Sequence, residues 1–194
     1  MYKKCVSVNP RDMRPYMGMG DAYSHLGYVA KAIDSYKKAI AIKPAPEAYL
    51  GMADCYAREG DIPHATGILL QGKAVLPQAE YDVRLGDLYH KLGDLKRASI
   101  SWESALAADA QRDDVRLKLA MIYDRLDRRA DTDKMLKRLL SQYPDSPLVH
   151  FVAAWIFMNR GDREASRRES ARVRSLAPTE VVQHFNERLL QLKQ

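Results

Sequence analysis

Hydrophobic residues recur along this chain at the spacing of a helix, and nowhere do they alternate as they would in a strand. From Tyr16 they fall at i, i+3, i+4 and i+7, which places them on one face of a helix. After a short break a second run of helical spacing follows. The first run is Tyr16, Met19, Gly20 and Tyr23, and the second is Val29, Ala32, Ile33, Tyr36, Ala39 and Ile40. Two amphipathic helices joined by a tight turn are therefore predicted.

This helix pair repeats along the chain. An aromatic residue recurs at intervals of 33, 33, 34 and 34 residues, and a small residue stands three positions before each one. The aromatic residues are Tyr23, Tyr56, Tyr89, Tyr123 and Phe157, and the small residues are Gly20, Ala53, Gly86, Ala120 and Ala154. A fixed period of this length is the signature of a stacked repeat protein. We therefore expect five helix pairs.

The turns between the paired helices carry their own signals. Four residues after each aromatic comes a glycine, or Asp127 in the fourth copy. Glycine readily adopts the positive φ that ends many helices. Asp61, Asp94 and Asp162 follow three of these glycines and are expected to cap the second helices. Ser146 and the proline after it are expected to start the fifth pair.

These residues resemble the tetratricopeptide repeat (TPR), a helix-turn-helix unit of about 34 residues. The first copy carries Tyr16, Met19, Gly20, Tyr23, Gly27, Ala32, Tyr36, Ala39 and Pro44, and the third carries Leu85, Gly86, Tyr89, Gly93, Ala98, Trp102 and Ala105. The other copies depart at the second-helix aromatic position, where they carry Leu69, Leu136 and Ser170. The resemblance implies an all-α, right-handed superhelical solenoid of antiparallel helix pairs with a C-terminal capping helix.

The repeat register predicts the organisation of the whole chain. We expect repeats at 13–45, 46–78, 79–112, 113–146 and 147–178. Tyr2, Cys5 and Pro10 match the last third of the unit, so residues 1–12 are expected to be the tail of a preceding repeat in a longer protein. Residues 179–194 are expected to form a capping helix, because a terminal helix covers the packing surface of the last repeat. Its apolar face would be Val181, Val182, Phe185, Leu189 and Leu192.

Charge and hydropathy narrow the function classes. The chain has 31 basic and 25 acidic residues, and a net charge of +6 is too small to indicate nucleic-acid binding by itself. Residues 112–194 carry 17 of the basic and 12 of the acidic residues. Their arginines cluster around the second helix of repeat five, where acidic residues are interspersed and no aromatic residue offers a stacking surface. The longest nearly apolar stretch, 148–158, is too short to span a bilayer. The given chain shows no signal peptide, so the cytoplasm is the default expectation and the compartment stays unassigned.

In TPR proteins the first helix of each pair lines a concave groove, and the resemblance implies the same here. The fifth-position row is Met17, Leu50, Val83, Leu117 and Phe151, and the ninth-position row is Asp21, Asp54, Asp87, Met121 and Trp155. Met158 adds to the apolar end of the groove. The resemblance therefore implies a non-enzymatic protein–protein interaction scaffold that binds a partner peptide or helix along these rows.

The acidic part of the ninth-position row has two interpretations. Asp21, Asp54 and Asp87 would form a ladder for Lys or Arg side chains of an extended peptide. Alternatively, each Asp pairs within its own helix with the residue four positions on, a contact worth about 0.2–0.5 kcal/mol. Those residues are His25, Arg58 and Lys91. The pattern alone leaves both interpretations open.

The apolar end of the groove also has two interpretations. Leu117, Met121, Phe151, Trp155 and Met158 would form a pocket with an aromatic anchor and adaptable walls, suited to an amphipathic helix or an apolar peptide. Alternatively, the C-terminal helix covers this surface, because an uncovered apolar patch promotes association.

Catalytic and metal-binding motifs are missing from the sequence. The five histidines fall in different repeats, the two cysteines lie fifty residues apart, and no phosphate loop, nucleophile elbow or HExxH motif occurs. We expect no enzyme activity, cofactor or metal. Two alternatives to a peptide-binding scaffold remain, namely an RNA-binding helical-repeat protein and a scaffold that self-associates through its N-terminal repeat.

Overall fold

The computed structural model describes residues 11–178, which form ten α-helices and no strand. The helices are α1 (Arg14–His25), α2 (Val29–Ile42), α3 (Pro46–Arg58), α4 (Ile62–Gly72), α5 (Gln78–Lys91), α6 (Leu95–Ala108), α7 (Asp113–Arg125), α8 (Arg129–Gln142), α9 (Pro147–Asn159) and α10 (Arg163–Leu176). The expected all-α fold of helix pairs is confirmed. The predicted capping helix at 179–194, and all but the end of the predicted tail at 1–12, lie outside the described residues.

The helices divide between two compact units. Within the described residues, unit 1 extends to residue 110 and contains α1 to α6, whereas unit 2 begins at residue 111 and contains α7 to α10. Within each unit the odd-numbered helix of a pair, called here the first helix, packs on the even-numbered second helix that follows it. A short turn joins the two, so they run antiparallel.

The turns form as the sequence predicts. Gly27, Gly60, Gly93 and Gly161 have φ between 75° and 80°, and Asp127 takes the same left-handed conformation with φ of 56°. The Asp61 carboxylate accepts from the backbone N–H of the third residue of α4, and Asp94 and Asp162 cap α6 and α10 in the same way. The Ser146 hydroxyl caps α9. These caps satisfy backbone donors that a helix start leaves unpaired.

Glycines bring aromatic side chains between the helices of unit 1. Tyr36 of α2 is 2% exposed. A Cβ atom added at Gly20 of α1 would lie 2.5 Å from Tyr36 Cε1, and one added at Gly51 of α3 would lie 2.5 Å from Tyr36 Cζ. Trp102 of α6 crosses Gly86 of α5 in the same way, since an added Cβ would lie 2.4 Å from its ring. Glycine is needed at these crossings because a methyl group would overlap the ring.

Unit 2 combines an apolar cluster with polar contacts between its helices. The cluster joins α7, α8 and α9 and contains Ala120, Leu136, Val152, Ala153, Trp155 and Ile156. Arg160, at the end of α9, donates to Asp124 of α7 at 2.6 Å and to Asp133 of α8 at 2.5 Å. The two ring nitrogens of His150 lie 2.7 Å from the Glu169 carboxylate and 2.8 Å from the Pro144 carbonyl oxygen. These contacts tie α9 to its neighbours on both sides.

Candidate functional site

The carboxylate of Asp21 is engaged by the second helix of its own repeat. The Tyr36 hydroxyl donates to Asp21 Oδ1 at 2.7 Å. Burial raises the pKa of the Tyr36 phenol, and the hydrogen bond to Asp21 raises it further. The phenol therefore stays protonated and keeps donating, and the pair joins α1 to α2.

Repeat 3 uses a tryptophan for the same purpose. Trp102 Nε1 donates to Asp87 Oδ1 at 3.2 Å and to the Val83 carbonyl oxygen at 3.3 Å. The ring is almost fully buried, so its N–H finds its acceptors within the protein. In repeats 1 and 3 alike, the acidic residue of the first helix accepts from the aromatic side chain of the second.

Repeat 2 lacks this arrangement because its second-helix aromatic position is Leu69, which has no polar donor. Its acidic residue, Asp54, instead accepts from Arg84 of the next first helix, with Arg84 Nη1 at 3.1 Å and 3.2 Å from the two carboxylate oxygens. Arg84 Nε also donates to Glu80 at 2.8 Å. The Asp54 ion pair thus bridges α3 and α5.

These contacts test the interpretation in which each Asp pairs with the residue four positions on in its own helix. Within residues 11–178 none of the three pairs forms. Arg58 instead donates to the Ser24 hydroxyl at 2.7 Å and to the Ser24 carbonyl oxygen at 3.1 Å. Donors on neighbouring helices reach these side chains at better geometry than the flexible i, i+4 partners do, so the local pairing was the wrong interpretation.

The fifth-position row of unit 1 is only partly accessible. Met17 and Leu50 are half-buried and pack against the core of unit 1. Val83 is 4% exposed, so its side chain offers no surface to a partner. The expectation that Val83 lines an open groove is therefore corrected, because its side chain packs inward from α5.

A cleft opens between α3 and α5 beside the Asp54 ion pair. It encloses about 90 Å³ and is lined by Leu50, Ala53, Asp54, Ala57, Leu69, Arg84, Asp87, Leu88 and Lys91. The side chains of Arg84 and Asp54 are 37% and 43% exposed, so the cleft is reached from the surface of the first helices. Leu50, Asp54 and Asp87 were predicted from the sequence, whereas the other lining residues were not. The sequence feature that could have indicated the cleft is Leu69, which stands where repeats 1 and 3 carry an aromatic residue.

The predicted apolar end is brought together only in part. Leu117 and Met121 of α7 pack against the cluster that contains Trp155. Trp155 is 6% exposed and its Nε1 is buried without a hydrogen-bond acceptor. Phe151 is half-buried, and Met158 is 44% exposed outside that cluster. Trp155 therefore serves as a core residue rather than as an open anchor.

The free Cys55 thiol is buried. Burial raises the pKa of the Cys55 thiol, which disfavours the nucleophilic thiolate. Among residues 11–178 no three His, Cys, Asp or Glu side chains come together as a metal site. No helix in that range is both long and apolar enough to cross a membrane. The α3/α5 cleft brings apolar and charged side chains of three helices together.

Comparison with solved structures shows where this architecture recurs. YrrB, described as a TPR protein with an unusual peptide-binding site, aligns with a TM-score of 0.69 at 17% identity over 96% of this chain and 97% of that chain. PilW, a type IV pilus biogenesis factor, aligns with a TM-score of 0.75 at 17% identity over 90% and 82%. A tetratricopeptide repeat protein from Parabacteroides merdae aligns with a TM-score of 0.74 at 15% identity over 84% and 66%.

Sequence comparison agrees with the structural one. No curated protein matches the chain significantly. Models of the tetratricopeptide repeat match residues 14–46, 80–112 and 114–146, which together cover just over half of the 194 residues. With the helix pairs and their glycine turns, these matches show that the chain belongs to the tetratricopeptide repeat family.

Proposed function

We propose that unit 1 binds a segment of a partner protein across the first helices α3 and α5, with the cleft between them as its anchoring point. The tetratricopeptide fold itself indicates a protein–protein interaction scaffold. The observation that carries the finer proposal is the cleft, because it combines an apolar floor with charged side chains at its rim. Such a combination orients a peptide while burying part of it.

The size of the cleft favours a peptide over a small molecule. Small-molecule pockets usually enclose about 300–1,000 Å³. The α3/α5 cleft, at about 90 Å³, holds one side chain. A partner segment would gain the rest of its contact area from the neighbouring faces of the first helices. YrrB, a structural neighbour, has a peptide-binding site, which supports a peptide as the ligand class.

The geometry gives less support to the nucleic-acid alternative. Several arginines near repeat five are already paired, Arg160 with Asp124 and Asp133, and Arg172 with Asp145 at 2.8 Å. A phosphate backbone would have to displace these carboxylates. We therefore propose a non-enzymatic role in protein binding, and keep RNA binding and self-association as outcomes of its test.

Selection from a displayed library of random dodecapeptides on the immobilised full chain tests the proposal. The blocking variant is Ala57→Arg, which places a long charged side chain in the cleft wall. Its matched control is Ala41→Arg, the same change at an exposed position of α2. We expect enriched peptides to bind the wild-type chain and Ala41→Arg alike, and to bind Ala57→Arg at least about tenfold more weakly.

Circular dichroism and thermal unfolding first establish that both variants fold. Failure to enrich any peptide, or equal binding by Ala57→Arg and Ala41→Arg, would overturn the proposal. Parallel binding of a randomised single-stranded RNA pool at two salt concentrations tests the RNA alternative. Light scattering across a wide range of protein concentrations tests self-association.

A further inference from the structure

The α3/α5 cleft exists where repeat 2 departs from its neighbours. Repeats 1 and 3 place Tyr36 and Trp102 against a glycine of the first helix. Repeat 2 places Leu69 at the corresponding position, and Ala53 replaces the glycine. Leucine is shorter than either aromatic residue, and both Leu69 and Ala53 line the cleft. Repeat 2 therefore has no aromatic ring at this second-helix position.

The volume of the cleft limits what can enter it. A cavity of roughly 150 Å³ lined by apolar side chains accommodates benzene. The cleft, at about 90 Å³, is smaller and suits an aliphatic side chain better than an aromatic ring. Its apolar lining comes from Leu50, Ala53, Ala57, Leu69 and Leu88. Burying an aliphatic side chain there removes apolar surface from water on both molecules.

The charged side chains at the rim of the cleft indicate which charge a partner segment should carry. Asp54 is held by Arg84, and Asp87 accepts from Trp102, so both acids already have donors within the protein. Arg84 is in turn shared with Glu80. Lys91 lines the same cleft, is exposed, and has no acidic partner within residues 11–178. Lys91 is therefore the cation at this rim that is available for a new ion pair within the described part of the chain.

We infer that the α3/α5 cleft recognises a partner segment in which an aliphatic side chain is followed closely by carboxylates. The aliphatic group enters the space beside Leu69, and a carboxylate pairs with the Lys91 ammonium at the rim. A basic segment would have to compete with Arg84 for Asp54, or with Trp102 for Asp87. This inference rests on the proposed function, since it names the chemistry of the segment bound at the same cleft.

The probes that test it are synthetic dodecapeptides with a Gly/Ser background and a central Leu-Asp-Asp. Sister peptides replace Leu with Ala or Phe, or both Asp residues with Asn or Lys. Binding is followed by NMR of the ¹⁵N-labelled full chain. We expect Leu-Asp-Asp to shift the amide signals of Leu50, Asp54 and Leu88, with a Kd at least about tenfold lower than that of the Ala, Phe or Lys peptide.

Variants of the protein separate the two parts of the recognition. Ala57→Met fills the cleft with a flexible side chain, and Ala53→Gly with Leu69→Tyr transfers the glycine–tyrosine pair of repeat 1 into repeat 2. Both are expected to abolish the preference for Leu over Ala. Lys91→Gln is expected to abolish the preference for Asp over Asn, whereas Lys96→Gln, on the second helix α6, leaves it unchanged. Thermal unfolding identifies any variant that fails to fold. If one of the two cleft variants fails, the other one tests the preference for Leu over Ala.

The outcomes distinguish this inference from the proposed function. If library-selected peptides bind at the cleft but the synthetic series shows no preference for Leu with Asp, or prefers Lys, the inference is wrong and the proposed function stands. If no peptide of either kind shifts the cleft residues, both are wrong. Preference for Leu-Asp-Asp, lost separately in the cleft-filling and Lys91 variants, supports the inference.

Discussion

Repeats 1 and 2 share one helix-pair layout but differ at the second-helix aromatic position and at the small residue of the first helix that faces it. In repeat 1, Tyr36 lies against Gly20 and donates to Asp21, so the second helix fills the space behind the first. In repeat 2, Leu69 and Ala53 stand at those positions, Asp54 turns to Arg84, and a cleft remains. In repeat 2 the aromatic wedge is lost and the acidic side chain changes partner, and these two changes together leave the space that we propose as a binding site.

The largest expected effect comes from replacing Tyr36 of repeat 1 with leucine, the residue that repeat 2 carries at this position. Tyr36→Leu should lower the free energy of unfolding by about 2–4 kcal/mol, because it leaves a cavity between Gly20 and Gly51 and removes the donor to Asp21. Urea unfolding of the full chain measures this loss.

A second substitution, at Gly20, tests whether this glycine and Tyr36 are energetically coupled. Gly20→Ala alone should cost about 1–3 kcal/mol, because the added methyl group overlaps the Tyr36 ring. Combined with Tyr36→Leu, the alanine occupies part of the vacated space, so the double variant should lose clearly less than the sum of the two single losses. Strict additivity would show that the two positions are not coupled as the structure indicates.

The acidic residues of the two repeats should also differ in their contribution to stability. Asp21→Ala removes the acceptor of a buried phenol and should cost about 1–2 kcal/mol. Asp54→Ala breaks a half-exposed ion pair and should cost less than about 1 kcal/mol. Asp21→Asn retains an acceptor and serves as the control. Thermal unfolding followed by circular dichroism ranks the three variants, and a larger loss for Asp54→Ala would contradict the assignment.

A smaller effect is expected at the turn of repeat 4, where Asp127 occupies the left-handed conformation that glycine adopts in the other repeats. Asp127→Gly should stabilise the chain by up to about 1 kcal/mol, because glycine takes this conformation without steric cost. The reciprocal change, Gly161→Asp, should destabilise it by a similar amount. Chemical denaturation measures both, and no difference between them would argue against strain at Asp127.

The smallest effect concerns the pH dependence of two helix caps in unit 1. The side-chain contact with His64 and the backbone N–H of His64 lower the pKa of Asp61, and the backbone N–H and side chain of Arg97 lower that of Asp94. A lowered pKa in the folded state means that these caps stabilise the protein above the ordinary pKa of 3.8 and lose that contribution as the pH falls below it.

A double variant that carries Asp61→Asn and Asp94→Asn tests this pH dependence. Asparagine still accepts a hydrogen bond at a helix N-terminus, but its side chain does not titrate. Between pH 5 and pH 3, roughly one unit either side of the carboxyl pKa, the wild-type chain should lose more stability than the double variant. Parallel loss in both chains would show that the caps do not account for acid sensitivity.

The sequence was sufficient for the fold because the features that specify it are local. The helical spacing around Tyr16, the glycine turns and the cap residue Asp94 each act within a few positions of one another. The partners of the acidic residues were harder to predict because they come from other helices. Tyr36 is 15 residues from Asp21, and Arg84 is 30 residues from Asp54.

The candidate site shows the same limit. Leu50 and Asp54 were predicted from repeat register, but register does not reveal whether a side chain faces inward, as Val83 does. The cleft depends on the combined sizes of Ala53 and Leu69 on different helices. The departure of Leu69 from the aromatic pattern was visible in the sequence, whereas the space beside it required three-dimensional packing.

Intermolecular NOEs show whether the aliphatic side chain of a bound peptide enters the α3/α5 cleft. A Leu-Asp-Asp dodecapeptide bound to the isotope-labelled full chain should show NOEs from its leucine methyl groups to the methyl groups of Leu50, Leu69 and Leu88, the aliphatic walls of the cleft. NOEs to Met121 and Leu117 of unit 2, with none to the cleft leucines, would contradict binding at the α3/α5 cleft. They would indicate that the peptide binds at the predicted apolar end of the groove.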